Sequence, residues 1–409
     1  MMARALRGFV EPLRSRLAMP KPPSSHVPLW RRPAFRALII QALLLAGLVA
    51  LIAMMVGNAL SNLEARGITT GFGFLGERAG FSIPQTLIDY SGDSTYARTF
   101  VVGLLNTLLV SGMGIVAATI IGFAVGIARL SPNWVLARLA SAFVEIFRNI
   151  PLLVQILFWY FAVLQALPSP RQSLSLMEAV FLNVRGLIVP APVPEAGFGL
   201  TLTALVIAIA ASIGFALYAR RLQARTGKAL PVYWCGAAMI IGLPLLAFVV
   251  SGAPLSWVMP ELKGFNFRGG VTVIPELMAL WLALSIYTAS FIAEIVRSGI
   301  QSVPKGQVEA SRAIGLSSNI TLRKVVIPQA MRVIVPQLTS QYLNLIKNSS
   351  LATAIGYPDL VAVFAGTSLN QTGQAIEIIA ITMAVYLTIS LSVSALMNVY
   401  NARTLIKER

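Results

Sequence analysis

The sequence predicts an all-α, polytopic membrane protein of about eight transmembrane helices, and three observations carry that expectation. Of 409 residues, 56% are hydrophobic and only 11% charged, with a mean hydropathy of +0.77, whereas soluble domains are about a quarter charged. That much apolar surface cannot be hidden in one water-soluble core. The apolar residues also fall in long runs separated by polar, Gly- and Pro-rich connections. Finally, Lys and Arg are concentrated in alternate connections, the charge asymmetry expected of loops retained on one side of a bilayer.

In chain order, residues 1–36 form a basic tail holding Arg4, Arg7, Arg14, Arg16, Lys21, Arg31, Arg32 and Arg36 against the single acid Glu11. Pro20, Pro22, Pro23, Pro28 and Pro33 oppose a packed fold there. The tail reads as solvated and cytoplasmic, with contact to anionic headgroups as a second possibility. A removable signal peptide does not fit, because the first apolar run starts late and is long. Ala37 to Gly57 is the first span, followed by a polar segment to residue 97 on the periplasmic side. Thr99 to Ala128 is the second, with Gly122 and Gly126 at the small-xxx-small spacing of close helix packing. Phe143 to Leu167 contains the third, where Pro151 can begin or bend a helix. Leu200–Tyr218 and Leu230–Val250 are the fourth and fifth spans, within an insertion of about 168–274 whose remaining residues read as polar or Pro-rich connections. Pro275–Val296 is the sixth span and Ala330–Lys347 an unusually polar seventh. Residues 348–373 read as an exterior stretch, Gln374–Met397 as the eighth span, and 401–409 as a short cytoplasmic tail. A core of 98–400 thus carries most of the chain.

The net charge of +17 raises nucleic acid as a partner, but the cations lie between apolar spans rather than on one soluble face. Placing the N-terminus inside puts 24 of the 32 Lys/Arg on the inner side, so both termini are expected in the cytoplasm. Enzyme classes find little support. The lone His26 and lone Cys235 leave no Ser–His or Cys–His nucleophile pair and no His/Cys metal cluster. There is no G-x-x-x-x-G-K-[ST] phosphate loop, so ATP hydrolysis is not expected of this chain. An ion-coupled carrier or channel for small polar solutes is the better rival. Such carriers commonly bury carboxylates in the membrane, while Glu145, Glu276, Glu294 and Glu377 fall near expected span ends.

The stretch from Glu294 to Leu360 organises the chain. Its basic loop, about 298–329, is longer than a bare connection needs and carries helix punctuation. Ser302 and Pro304 can start a helix, and Gly315 stands where a helix C-terminus favours φ > 0. Ser317, Ser318 and Asn319 can cap a second short helix with Leu322, Val325 and Val326 on its apolar face. Val308, Ala310, Ala313 and Ile314 offer an apolar contact rimmed by Lys305 and Arg312.

Glu309-Ala310, Gly315 six residues after the Glu, and Ile327-Pro328 together resemble the EAA loop of ABC-transporter permeases. Ala293-Glu294-Ile295-Val296-Arg297, Gly306-Gln307, Gln329-Ala330, Leu345-Ile346-Lys347-Asn348-Ser349-Ser350-Leu351 and Phe147-Arg148-Asn149-Ile150-Pro151 extend the resemblance to the amino-acid subfamily, over roughly 98–167 and 275–400. The chain's length, its extra helices and Gly92-Asp93-Ser94-Thr95-Tyr96-Ala97-Arg98 look most like the long permeases of general L-amino-acid uptake systems. Ser311 stands where the family usually has Ala, Ile327 where it has Leu, and Asn348 where Asp is frequent. The resemblance implies a type I importer permease core with an N-terminal extension and an inserted helix pair. It implies residence in the bacterial inner membrane and no cofactor of the chain's own, ATP being used by a separate cytoplasmic ATPase dimer. The implied partners are that dimer, a second and non-identical permease, a periplasmic amino-acid-binding protein and the lipid bilayer. The loop residues Gly306, Gln307, Glu309, Ala310, Gly315, Ile327 and Pro328 would seat the ATPase.

The residues themselves suggest a solute path. Gln337, Gln341, Asn344 and Asn348 recur at i, i+4, i+7 and i+11, one face of a helix. Hydrocarbon penalises such groups, so the face should meet protein or a water-filled cavity. Amides both donate and accept, which suits a zwitterion; helix-to-helix hydrogen bonding is the plainer alternative. Glu294 and Arg297 can form an i,i+3 pair or tie the span to the loop. Asn106, Thr107, Ser111, Ser285, Thr288 and Ser290 are weaker path candidates, since small polar groups in such helices more often serve packing.

Overall fold

The computed structural model describes residues 33–65, 71–228 and 230–404. Most of the basic tail, including His26, and the terminal Lys407-Glu408-Arg409 lie outside the described residues. The chain divides into two units, 1–70 and 71–409. In the first, α1 (Pro33–Ala65) is one unbroken helix whose segment Phe35–Asn58 is long and apolar enough to cross a membrane. It starts earlier than expected, at Pro33, whose fixed φ and missing N–H suit a first turn.

In the second unit, α2 (Tyr96–Ala128) is capped by Thr95, whose hydroxyl accepts from the Arg98 N–H. The expected third span falls on a helix pair broken at Pro151. α3 (Trp134–Asn149) and α4 (Leu152–Leu157), the latter continuing as a π-helical segment Phe158–Leu164, meet at Pro151 with a bend of 105°. The Gln155 amide clasps the corner by donating to the carbonyls of Phe147 and Ile150 at 2.9 and 3.0 Å, which the end of α3 would otherwise leave without partners.

The insertion is more than two connections around a helix pair. It holds β1 (Leu174–Leu176), β2 (Val180–Asn183), β3 (Gly186–Val189) and β4 (Ala191–Pro194), then helices α5 (Phe198–Thr226) and α6 (Val232–Val250). It closes with β5 (Leu255–Val258), β6 (Glu261–Lys263), β7 (Asn266–Arg268) and β8 (Val271–Val273). Antiparallel pairing gives the sheet β1-β2-β3-β8 and the ribbons β4-β5 and β6-β7. The chain is overwhelmingly helical, as expected, but these strands were not; runs of three or four residues show too little alternation to be read. The register Leu187↔Val273 and Val189↔Val271 zips the two ends of the insertion together. Only glycine fits at Gly186, where φ is +116° and a Cβ would lie 2.1 Å from the Val273 carbonyl oxygen.

The remaining elements are α7 (Pro275–Gln301), α8 (Lys305–Ala313), α9 (Ser318–Thr321), α10 (Ile327–Asn348), α11 (Leu369–Thr372) and α12 (Ala375–Thr404). A 3-10 segment Ser349–Ile355 and a π-helical segment Val361–Ser368 lie between α10 and α11. Among the described residues, six helices are long and apolar enough to cross a membrane, or seven with the bent pair as one span. The 22-residue α10, with its polar stripe, is the eighth helix of comparable length. α7 is the hub: Leu280, Ala283, Leu284, Ala289, Ile292 and Ala293 are wholly buried. α2 lies against it through Gly122 and Gly126, where added Cβ atoms would stand 2.6 Å from Ile292 and 2.7 Å from the Ala293 carbonyl oxygen. The small-residue spacing is thus used for close packing. Within the expected exterior stretch 348–373, Tyr357, Asp359, Leu360 and Phe364 are fully buried.

Candidate functional site

The organising loop folds as a surface helix followed by a rejoining turn. Pro304 precedes α8 in an extended conformation, and Gly315, at φ +80°, ends it. Gly306, Gln307, Glu309 and Ala310 are exposed along α8, and Ile314 is 75% exposed just beyond it. A large aliphatic side chain bare at a helix end is the kind of anchor a partner groove receives. Ser311 is buried and satisfies itself by donating to the Gln307 carbonyl at 2.7 Å. Ser317 stands at the start of α9 with no side-chain capping bond. The second helix does not stop: a π-helical turn, Leu322–Val326, carries it into α10 with Pro328 in the first turn. Widening the turn removes the clash between the proline ring and the carbonyl four residues earlier. Ile327 remains exposed beside Pro328. The predicted coupling residues therefore lie on α8 and its end, Gly306 to Gly315, and in the first turn of α10, Ile327 and Pro328, with α9 and the π-helical turn between them.

Beside it lies a polar cleft. Arg148, Phe291, Glu294, Ser298, Gln337 and Gln341 line a cavity of about 340 Å³. A second cavity of about 340 Å³ shares Arg148, Phe291 and Glu294 and adds Arg129, Glu145 and Asn149. Glu294 pairs with Arg297 on its own helix, as the spacing predicts, and also with Arg129 at the end of α2. Arg129 in turn donates to Ser141 on α3, and Arg297 to Gln301. One carboxylate thus fastens three helices at the end of α7 that leads into α8. The guanidinium of Arg148 stands 4.9 Å from the Phe291 ring centre, a cation–π distance. Arg129, 165 residues from its partner, was not marked by any local pattern.

The amide stripe is split. Gln337 and Gln341 face the cleft; Asn344 is exposed, and Asn348 is half-buried further along α10. Next to that far end, Lys347, Ser350, Thr382, Tyr386 and Ser390 line a cavity of about 460 Å³. Two of the weaker candidates bind neighbouring segments. Asn106 donates to the carbonyls of Gln85 and Pro358, both at 2.9 Å, and Thr107 accepts from the Leu360 N–H at 3.0 Å. These bonds fasten α2 to the buried 357–360 turn.

Asp359, in that turn and outside the helices that qualify as spans, is a second residue the sequence did not single out. One carboxylate oxygen accepts from the Ala362 N–H at 2.8 Å and caps the following helical segment; the other is buried without a partner among the described residues. Burial pushes its pKa up to about 7, against the lowering effect of nearby backbone N–H groups.

The helices long and apolar enough to cross a membrane, the surface helix of the loop and the cleft beside it define a class, that of polytopic membrane proteins. The match to the family described as "Binding-protein-dependent transport system inner membrane component" covers residues 224–406. Relatives matching over 92% of the chain carry the comparison further. One, from Escherichia coli K12, bears the provisional name of an amino-acid ABC transporter permease, YhdX, and is 56% identical over 96% of its own length. The general L-amino acid transport system permease protein AapQ of Rhizobium johnstonii is 54% identical over 94% of its length. The glutamate/glutamine/aspartate/asparagine transport system permease protein BztB of Rhodobacter capsulatus is 41% identical over 95%. The chain belongs to the family of binding-protein-dependent transport system inner-membrane components. At 92% coverage, the similarity to these relatives takes in the inserted helices as well.

Proposed function

We propose that this chain is a permease subunit of an ATP-driven importer of L-amino acids, working with a second, non-identical permease. The observation that carries the reading is the loop: an exposed α8 bearing Glu309 and Ala310, with Ile314 and Gly315 at its end, followed by α9, which runs through a π-turn into α10. A groove on a cytoplasmic ATPase dimer that receives Ile314 and meets Glu309 would move α10 through α9, and with it the amide stripe. The names of the relatives support amino acids as the cargo class. In this reading, residues 1–36, the α8 side and residues 401–409 are cytoplasmic, and the strands of the insertion are periplasmic, where an amino-acid-binding protein docks on the core. Gln337, Gln341, Asn344 and Asn348 line the path. The chain performs no chemistry; it supplies two conformations that differ in access and solute affinity.

The deciding experiment is co-purification with candidate neighbouring subunits, followed by an ATPase assay with and without solute-loaded binding protein. A stable complex with stimulated ATPase activity is the expected result. A chain that purifies alone and transports in vesicles on an ion gradient without ATP overturns the reading.

A further inference from the structure

The inserted hairpin carries a charge pattern that the transport reading does not use. In the membrane-length segments of α5 and α6, 6% and 0% of residues are buried, so beyond their contact with each other these helices face the surroundings. At the turn that joins them, Arg220, Arg221, Arg225 and Lys228 are all exposed, and no acid lies between Ala219 and Trp234. None of the four side chains has an ion-pair partner among the described residues. Arg221 and Arg225 stand at i,i+4, where like charges repel across one helix face. The C-terminal position on α5 relieves part of that cost through the helix dipole, but an external anion would relieve more. Three aromatic side chains bracket the cations: Tyr218 is 59% exposed, Tyr233 92% and Trp234 81%. Exposed Tyr and Trp at the ends of apolar helices mark the headgroup level of a bilayer.

We propose that the α5–α6 turn is a binding surface for anionic phospholipid headgroups, with Arg220, Arg221, Arg225 and Lys228 holding lipid phosphates and Tyr218, Tyr233 and Trp234 seated at the same depth. Arginine's planar fork suits a phosphate oxygen pair, and lysine adds a point charge. The surface is built on a hairpin that little else among the described residues of this chain covers, so it keeps anionic lipid beside this flank of the permease.

The test uses the full chain, in its assembled complex, in nanodiscs doped with chain-brominated phosphatidylglycerol or, at equal mole fraction, chain-brominated phosphatidylcholine. Emission of Trp234 is obtained as wild type minus Trp234→Phe. The anionic dopant should quench Trp234 as though enriched about fivefold over its bulk fraction, and added salt should reduce that excess as the surface charge is screened. Arg220→Gln/Arg221→Gln/Arg225→Gln/Lys228→Gln should abolish the preference, while Arg185→Gln/Arg268→Gln, at the β2–β3 turn and in β7, should keep it. Equal quenching by both lipids in the wild type overturns the proposal, as does a preference that the fourfold variant retains. Trp234 shielded from both dopants also overturns it, since that outcome assigns the surface to a protein partner. If the fourfold variant fails to insert, the wild-type lipid comparison and its salt dependence decide the matter.

Discussion

At the scale of single residues, Asp359 has the most distinctive chemistry. Its folded pKa of about 7 lies above the ordinary 3.8 because burial disfavours the carboxylate. The folded chain therefore holds a proton that the unfolded chain releases between those values. The stabilisation linked to that proton is fully present below the lower value and is lost as pH rises to the upper one. Melting of the detergent-purified protein between about pH 4.5 and 8 should show this decline, and Asp359→Asn, which keeps an acceptor for Ala362, should remove it. A slope unchanged in the variant would assign the effect to another group. The amide stripe makes a separate expectation. Gln341→Ala/Asn344→Ala should lower uptake and shift the preference among amino acids without lowering ATPase binding. Wild-type rates and preference would leave these side chains as packing groups. The Glu294–Arg297 pair was legible because both residues lie on one helix turn. Arg129 and Asp359 were not, because their roles depend on contacts between distant segments and on a turn that looks solvent-exposed in sequence.

At the scale of elements, the span positions were largely legible from hydropathy and glycine spacing; the failures occurred where local rules met tertiary ones. Pro151 was marked as a possible bend, yet the 105° corner also needs Gln155 to satisfy the carbonyls it frees. The strands of the insertion escaped because pairing partners up to about ninety residues apart, such as Leu187 and Val273, define them more than their own pattern does. The α2–α7 contact gives a direct test. Gly126→Leu would drive a side chain into Ala293 and Val296 and should lower stability by about 1–3 kcal/mol or more, read as a reduced melting temperature; an unchanged melt would mean the helices separate freely. For α8, Gly315→Asp places a branched acidic side chain at φ +80°, next to exposed Ile314. ATPase binding and uptake should both fall, while insertion and yield stay near wild type. Intact coupling in this variant would rule out tight docking at the helix end.

At the scale of the whole molecule, the approximate number of long apolar helices was readable because the bilayer imposes length, and the alternation of basic connections sets the expected sidedness. A sidedness test is available because Cys235 is the only cysteine. In a Cys235→Ala background, Lys228→Cys at the hairpin turn and Phe265→Cys between β6 and β7 should react with a membrane-impermeant maleimide from opposite sides, Lys228→Cys from the cytoplasm. Labelling of both from one side would contradict the proposed topology.

The zipped ends of the insertion have one more consequence. Val189 and Val271 are register partners, so the chain leaves the core and returns to it at nearly the same point. Everything from residue 190 to 270, including an even number of crossings, hangs from a closed neck. An Asn-Gly turn could join Val189 to Val271 as an ordinary two-residue hairpin without reversing any later helix. The segment 190–270 is thus a cassette: its removal or exchange at the neck should leave the order and direction of the later helices unchanged.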